Sequence, residues 1–99
     1  MPKNVGRFNV DFVGTPPNLP EAGFAAPMVP NVTVNGAPII VQTTPILPHG
    51  RGIHASPSNK MLTGSFNVFA GPNALPVCGS GDAATCGHVL ISTSNVFVN

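Results

Sequence analysis

The chain has 99 residues, of which 12 are proline and 11 glycine, and only 7% are charged, for a net charge of +1. A chain this short makes one domain with a thin core, because only roughly two thirds of its unfolded surface can be buried, and so many backbone breakers exclude long helices in favour of short strands and tight turns. There is no basic stripe, tryptophan or tyrosine to grip a phosphate backbone or stack a base, so nucleic acid is excluded as a partner.

The first 28 residues differ in texture from the rest. Phe8-Asn9-Val10-Asp11-Phe12-Val13 alternates apolar and polar side chains, as a strand does, yet prolines at 16, 17, 20, 27 and 30 interrupt the chain beyond it. Residues 1–28 are therefore expected to wrap, extended or polyproline-like, around a body formed by residues 29–99, with Phe8, Phe12 and Phe24 as anchors. In the body, Val32, Val34, Ile39 and Ile40 flank Asn35-Gly36, and both turn residues tolerate positive φ, which predicts a tight hairpin. Pro38 confines the returning strand to an edge or to a start after the proline.

A second apolar stretch, Phe66-Asn67-Val68-Phe69-Ala70, runs on through Leu75-Pro76-Val77 into a loop rich in glycine and serine, and a third, Asn95-Val96-Phe97-Val98, ends the sequence. Alternation across a strand would aim Val68 and Val96 one way and divide Phe66, Phe69 and Phe97 between the core and the opposite face. The nearest approach to a helix is a single turn at Asn59-Lys60-Met61-Leu62.

These stretches are versions of one phrase. Asn31-Val32-Thr33-Val34 is echoed from Asn67, 36 residues on, and from Asn95, 28 residues further. A strand and turn recurring once per third of the chain predicts an all-β body of pseudo-threefold symmetry with Pro/Gly-rich turns. Its charged fraction is far below the ~25% usual in soluble domains, so part of its apolar surface is expected to lie against a partner. No apolar run approaches the ~20 residues that span a bilayer, which excludes stable membrane insertion. The N-terminus has no apolar signal core, so synthesis in the cytoplasm is expected.

All three histidines and both cysteines fall between His49 and His88. Imidazole nitrogen and thiolate sulfur are preferred ligands of tetrahedral zinc, and His49, His54, Cys86 and His88 would fill all four positions, leaving none for water. Such a site is structural. His49 and His54 bracket a glycine-rich loop that can fold back on itself, and if Cys86-Gly87-His88 is extended, its first and third side chains share a face. Cys78 is the alternate sulfur ligand, and iron is the alternate metal. Two other classes are open to the same residues. One is a small secreted binding module closed by a Cys78–Cys86 disulfide; the other is a hydrolytic zinc enzyme with Glu21 or Asp82 as base, which four protein ligands disfavour.

Taken in order, Gly64-Ser65-Phe66-Asn67-Val68-Phe69-Ala70-Gly71, Ala74-Leu75-Pro76-Val77-Cys78-Gly79-Ser80-Gly81-Asp82, Cys86-Gly87-His88 and Ser92-Thr93-Ser94-Asn95-Val96-Phe97-Val98-Asn99 resemble PAAR-repeat spike-tip proteins. The likeness covers residues 29–99. It implies a small conical fold with a metal-stapled apex, zinc held by three histidines and one cysteine, and no enzymatic activity. It also implies a partner, the trimeric β-helical spike of a contractile phage tail or of a type VI secretion apparatus, which one such tip caps and drives against the target cell envelope in transient contact. By the resemblance, Cys86 and His88 match the late ligand pair, and His49 and His54 the earlier histidine loop. Where that family often has Pro-Ala-Ala-Arg, this chain has Ala37-Pro38-Ile39-Ile40 and Ala74-Leu75-Pro76-Val77, without the arginine.

Overall fold

Asn35 and Gly36 take φ of 52° and 83°, the left-handed pair that turns strand β4 (Val29–Val34) back into strand β5 (Ala37–Ile39). Two left-handed residues match the twist of the flanking strands, which is why asparagine and glycine stand here. The hairpin was legible from its turn alone. A computed structural model describes residues 2–15 and 19–99; the prolines expected to break the chain at 16 and 17 lie outside them.

The described chain is all β, apart from one 3₁₀ turn at Gly52–Ala55. The strands not yet introduced, in chain order, are β1 (Lys3–Asn4), β2 (Phe12–Thr15), β3 (Leu19–Ala22), β6 (Phe69–Ala70), β7 (Leu75–Pro76), β8 (Val89–Ile91) and β9 (Phe97–Val98). β2 lies between β3 and β8 in a three-stranded antiparallel sheet, while the others form two-stranded pairs β1–β9, β4–β5 and β6–β7.

Those three pairs are copies of one another. In β4–β5, Thr33 stands opposite Pro38 and Val34 opposite Ala37. In β6–β7, Phe69 faces Pro76 and Ala70 faces Leu75; in β9–β1, Phe97 faces Asn4 and Val98 faces Lys3. Each pair joins one Asn-Val phrase to a return segment. In the third copy, the return segment is the start of the chain.

The segments leading out of each pair, residues 4–8, 38–42 and 76–80, close on one another as a collar. Ile40 N donates to Gly6 O at 3.0 Å, Cys78 N to Ile40 O at 2.9 Å, and Gly6 N to Cys78 O at 3.0 Å. A second set completes the pattern, with Phe8 N on Pro38 O, Gln42 N on Pro76 O and Ser80 N on Asn4 O at 2.8–2.9 Å. Together they give three antiparallel bridges, Arg7 with Ile39, Val41 with Val77 and Val5 with Gly79. All six backbone donors are satisfied by a neighbouring side of the triangle, so three very short strands leave no open edge within the collar. At Gly79 the sides pass so closely that a Cβ would lie 2.9 Å from the Asn4 carbonyl oxygen.

Alternation along the collar splits the core in two. Val5, Ile39, Val41 and Val77 join one apolar cluster with Val29, while Ile40 and Cys78 join the other with Val13, Phe24, Ile46, Met61, Cys86 and Leu90. Successive side chains leave a strand on opposite sides, so one ring of backbone carries a core on each face. Buried carboxylates tie the chain ends to it. Asp82 accepts from Lys3 Nζ at 2.7 Å, Thr63 Oγ1 at 3.0 Å and Gly79 N at 2.8 Å, and Asp11 Oδ2 accepts from Arg7 N, Arg7 Nε and Ser92 Oγ.

Three expectations need correction. The N-terminal segment does not wrap a body of residues 29–99; it belongs to that body, supplying one side of the collar, three strands and the buried Val5, Val13 and Phe24. Phe8, Asn9 and Val10 form a turn with Asn9 at φ 65°, so the alternating pattern there is not a strand, and the anchor Phe12 is exposed. Nor do the phenylalanines divide between core and surface: Phe66, Phe69 and Phe97 are 81%, 52% and 56% exposed. The core they would have entered is already filled by the valines and isoleucines of the collar.

Candidate metal centre

The loop from His49 to Ala55 folds back on itself through glycine. Gly50 and Gly52 both sit at φ 61°, which lets His49 N reach His54 O at 2.8 Å while the 3₁₀ turn Gly52–Ala55 carries His54. Left-handed φ at two positions within three residues suits glycine and costs most other residues steric energy. The second half of the site is also a turn. Ala84 N donates to His88 O at 2.8 Å and Gly87 N to Ala84 O at 3.0 Å, with Gly87 at φ 96°. Cys86 and His88 are therefore brought together by a turn around Gly87, not by the extended alternation expected from the sequence.

Two residues that the sequence did not single out join these halves. The buried Asn59 donates from Nδ2 to Ile53 O at 2.7 Å in the first loop and accepts on Oδ1 from Thr85 Oγ1 at 3.0 Å in the second. Thr85 N also donates to Lys60 O, and Lys60 N to Thr85 Oγ1. Asn59 and Lys60, in the stretch that came nearest to a helix in sequence, are thus a tie between loops and not a helical turn. Nothing local marks the tie, since its partners lie 6 and 26 residues away.

The four predicted residues meet here. One ligand atom from each of His49, His54, Cys86 and His88 falls within a group no wider than 4.8 Å. The imidazole centroids stand 4.4–5.2 Å apart, and Cys86 Sγ is 4.0 Å from His49 Nε2. His49 Nδ1 lies 2.9 Å from Leu47 O. A carbonyl only accepts, so Nδ1 carries the proton and Nε2 presents its lone pair, the second-sphere arrangement that orients a metal-binding imidazole.

His54 Nδ1 is buried without a hydrogen-bond partner. An orphaned buried nitrogen costs roughly 1–3 kcal/mol unless something binds it, and a cation among three imidazoles and a thiol would do so. Burial, then the neighbouring His54 and His49, push the His88 pKa below its ordinary value, with Glu21 pulling the other way. A histidine kept neutral is a histidine ready to ligate. The donor set and the orphaned nitrogen both fit a bound metal ion, which His49, His54, Cys86 and His88 would hold and which would supply cross-linking of the two loops.

Cys78 lies elsewhere. Its thiol is fully buried and donates to Thr63 O at 3.0 Å, and burial, with Asp82 nearby, pushes its pKa far above the usual thiol range. A thiol so strongly held protonated is a poor ligand. Cys78 and Cys86 are both free, so the expected alternative of a Cys78–Cys86 disulfide is not formed. No protein-family model matches this chain, and no curated protein matches it either.

Proposed function

We propose that this protein is a PAAR-type spike tip: a small rigid cone whose loops are stapled by zinc at the apex and whose other end caps a trimeric β-helical spike. The carrying observation is the closed collar. One chain contributes three equivalent sides joined by three equivalent pairs of hydrogen bonds, and a single subunit with three like sides suits a partner with a true threefold axis. The group of three histidines and one cysteine supports the same reading, because four protein donors leave no position for a reactive water and so favour a structural ion over an enzymatic one. Zinc is preferred over iron by the mixed nitrogen and sulfur set.

In this reading the tip works by stiffness. The collar fixes the frame, the ion pins the loops on one side of it, and force delivered along the spike reaches the envelope through a body too short to bend. Contact with the envelope is taken as transient; separately, no helix among the described residues is long and apolar enough to cross a membrane. The setting is a contractile phage tail or a related secretion spike.

Elemental analysis of purified protein, with light scattering of its mixture with a trimeric β-helical spike protein, tests the proposal. About one zinc per chain and a complex of one tip with three spike chains is expected. A metal-free protein that does not bind the trimer overturns it.

A further inference from the structure

Asn35 is the only asparagine in the sequence followed by glycine; five of the others precede valine. A branched side chain crowds the backbone amide that carries it, whereas glycine leaves its amide open to a neighbouring group. Asn35 and Gly36 form the exposed turn between β4 and β5, and a Cβ placed on Gly36 would meet nothing within 4 Å. Water and a reacting backbone nitrogen both have room there. The Asn35 side chain is nevertheless engaged. Its Nδ2 donates to Asn95 Oδ1 at 2.9 Å, a bond spanning 60 residues of sequence. That bond links the first phrase to the third, and it belongs neither to the collar nor to the histidine loops.

We infer that Asn35-Gly36 is a site of self-modification by deamidation, and that Asn95 is the positioning residue that holds it in check. Once the Gly36 amide nitrogen has given its proton to hydroxide, it attacks Asn35 Cγ. The N–Cγ bond forms, the Cγ–Nδ2 bond breaks, and Nδ2 takes a proton from water and leaves as ammonia. One water molecule then opens the cyclic imide at either carbonyl carbon, leaving aspartate or isoaspartate at position 35. The bond to Asn95 opposes this sequence at its first step in two ways. It keeps the side chain in one orientation, so reaching the imide geometry means giving up a hydrogen bond. It also draws on an N–H of the amide, which strengthens the C–N double-bond character and makes Cγ a poorer electrophile.

The reaction matters here because the chain has few charges and a short turn. One carboxylate in place of one amide takes the formal net charge from +1 to zero, where repulsion between copies is weakest. Aspartate tolerates the left-handed backbone found at position 35, φ 52°, and so keeps the hairpin. Isoaspartate instead routes the main chain through the side-chain carbon and lengthens the turn by a backbone atom. That change falls just ahead of β5, which leads into the collar at Ile40. One product therefore alters charge alone, and the other also disturbs the collar.

The experiment incubates full-length wild type, Asn95→Ala and Asn95→Asp at mildly alkaline pH, folded and in urea, and follows each asparagine by peptide mass and isoaspartate content. Melting temperature and hydrogen exchange at the Val34 and Ala37 amides report whether the hairpin is intact. Conversion is expected at position 35 first, and more slowly in folded wild type than in urea. Folded Asn95→Ala should convert about three- to tenfold faster than folded wild type, the rate equivalent of one hydrogen bond. Asn95→Asp should keep the wild-type rate, because its carboxylate also accepts from Nδ2. In urea all three should convert alike. Earlier conversion at another asparagine overturns the site. A folded Asn95→Ala that converts no faster overturns the role of Asn95, as does a faster rate matched by equally faster exchange at the hairpin amides, which would mark a loosened turn. Asn95→Asp keeps the test decisive if Asn95→Ala does not fold, since a folded Asn95→Asp that converts as fast as the chain in urea also overturns that role.

Discussion

The two sides of the collar are held together by different means. On the side of the Val5 cluster, three strand pairs run directly into the collar, and their order comes from backbone hydrogen bonds repeated three times. On the histidine side, the chain travels in loops, with glycines at φ 61°, 61° and 96° and a side-chain tie through Asn59 and Thr85. The collar's six backbone donors are satisfied within the chain. The loops end in three histidines and a cysteine that could hold a metal ion, one of them with an unpartnered buried nitrogen. A frame closed by its own backbone thus stands beside loops that converge on a candidate metal site.

Removing the ion should sharpen that contrast most. Structural zinc contributes an apparent ~10–16 kcal/mol in small metal-folded peptides; here, chelation or His54→Ala is expected to cost several kcal/mol and to act mainly on one side. Hydrogen exchange should show the His49 and Ala84 amides losing protection while those of Gly6, Ile40 and Cys78 keep theirs. Equal loss at both sets would break the division. The reverse disruption is Ile40→Ala in the collar. Ile40 is fully buried, so about 2–5 kcal/mol should be lost, and chemical denaturation should show both sides failing together.

A smaller effect is expected at the tie between the loops. Asn59→Ala leaves the Ile53 carbonyl and the Thr85 hydroxyl without their partner, costing roughly 1–3 kcal/mol, and zinc affinity measured by competition with a chelator should fall about tenfold or more. Collar protection should not change.

The smallest effect is on pH. Because burial and two neighbouring imidazoles lower the His88 pKa, the unfolded metal-free chain binds its proton at higher pH than the folded one does. Stability is then full above the unfolded value of about 6.5 and declines as pH falls through the lowered folded value. Melting temperatures of metal-free protein across that window should drop toward acid, and His88→Asn should flatten the profile. Zinc release on acidification has the same sign, since protons and metal compete for the same nitrogens.

Much of the candidate site was readable beforehand because ligand chemistry belongs to residue type. Three histidines and a cysteine in a chain poor in polar side chains name themselves, and flanking glycines announce loops that can fold back. What failed were inferences that needed a neighbour. Cys86 and His88 were expected to share a face of extended chain, yet Gly87 turns them together. Asn59 gave no signal because its bonding partners come from two different loops. Cys86 was preferred in sequence with Cys78 as the alternate, and the fold sets Cys86 beside the three histidines while Cys78 donates to the Thr63 carbonyl elsewhere.

Short-range chemistry was therefore enough for the all-β class, the Asn35-Gly36 hairpin and the choice of four candidate side chains that the fold brings together, since φ preference and donor type act within a few residues. The threefold closure of residues 4–8, 38–42 and 76–80, the use of the N-terminal strand to complete the third pair, and the exposure of the three phenylalanines were decided only by the folded whole. Hydrogen bonds between distant segments have no local signature, and a side chain faces water or core according to which other residues have already filled the space.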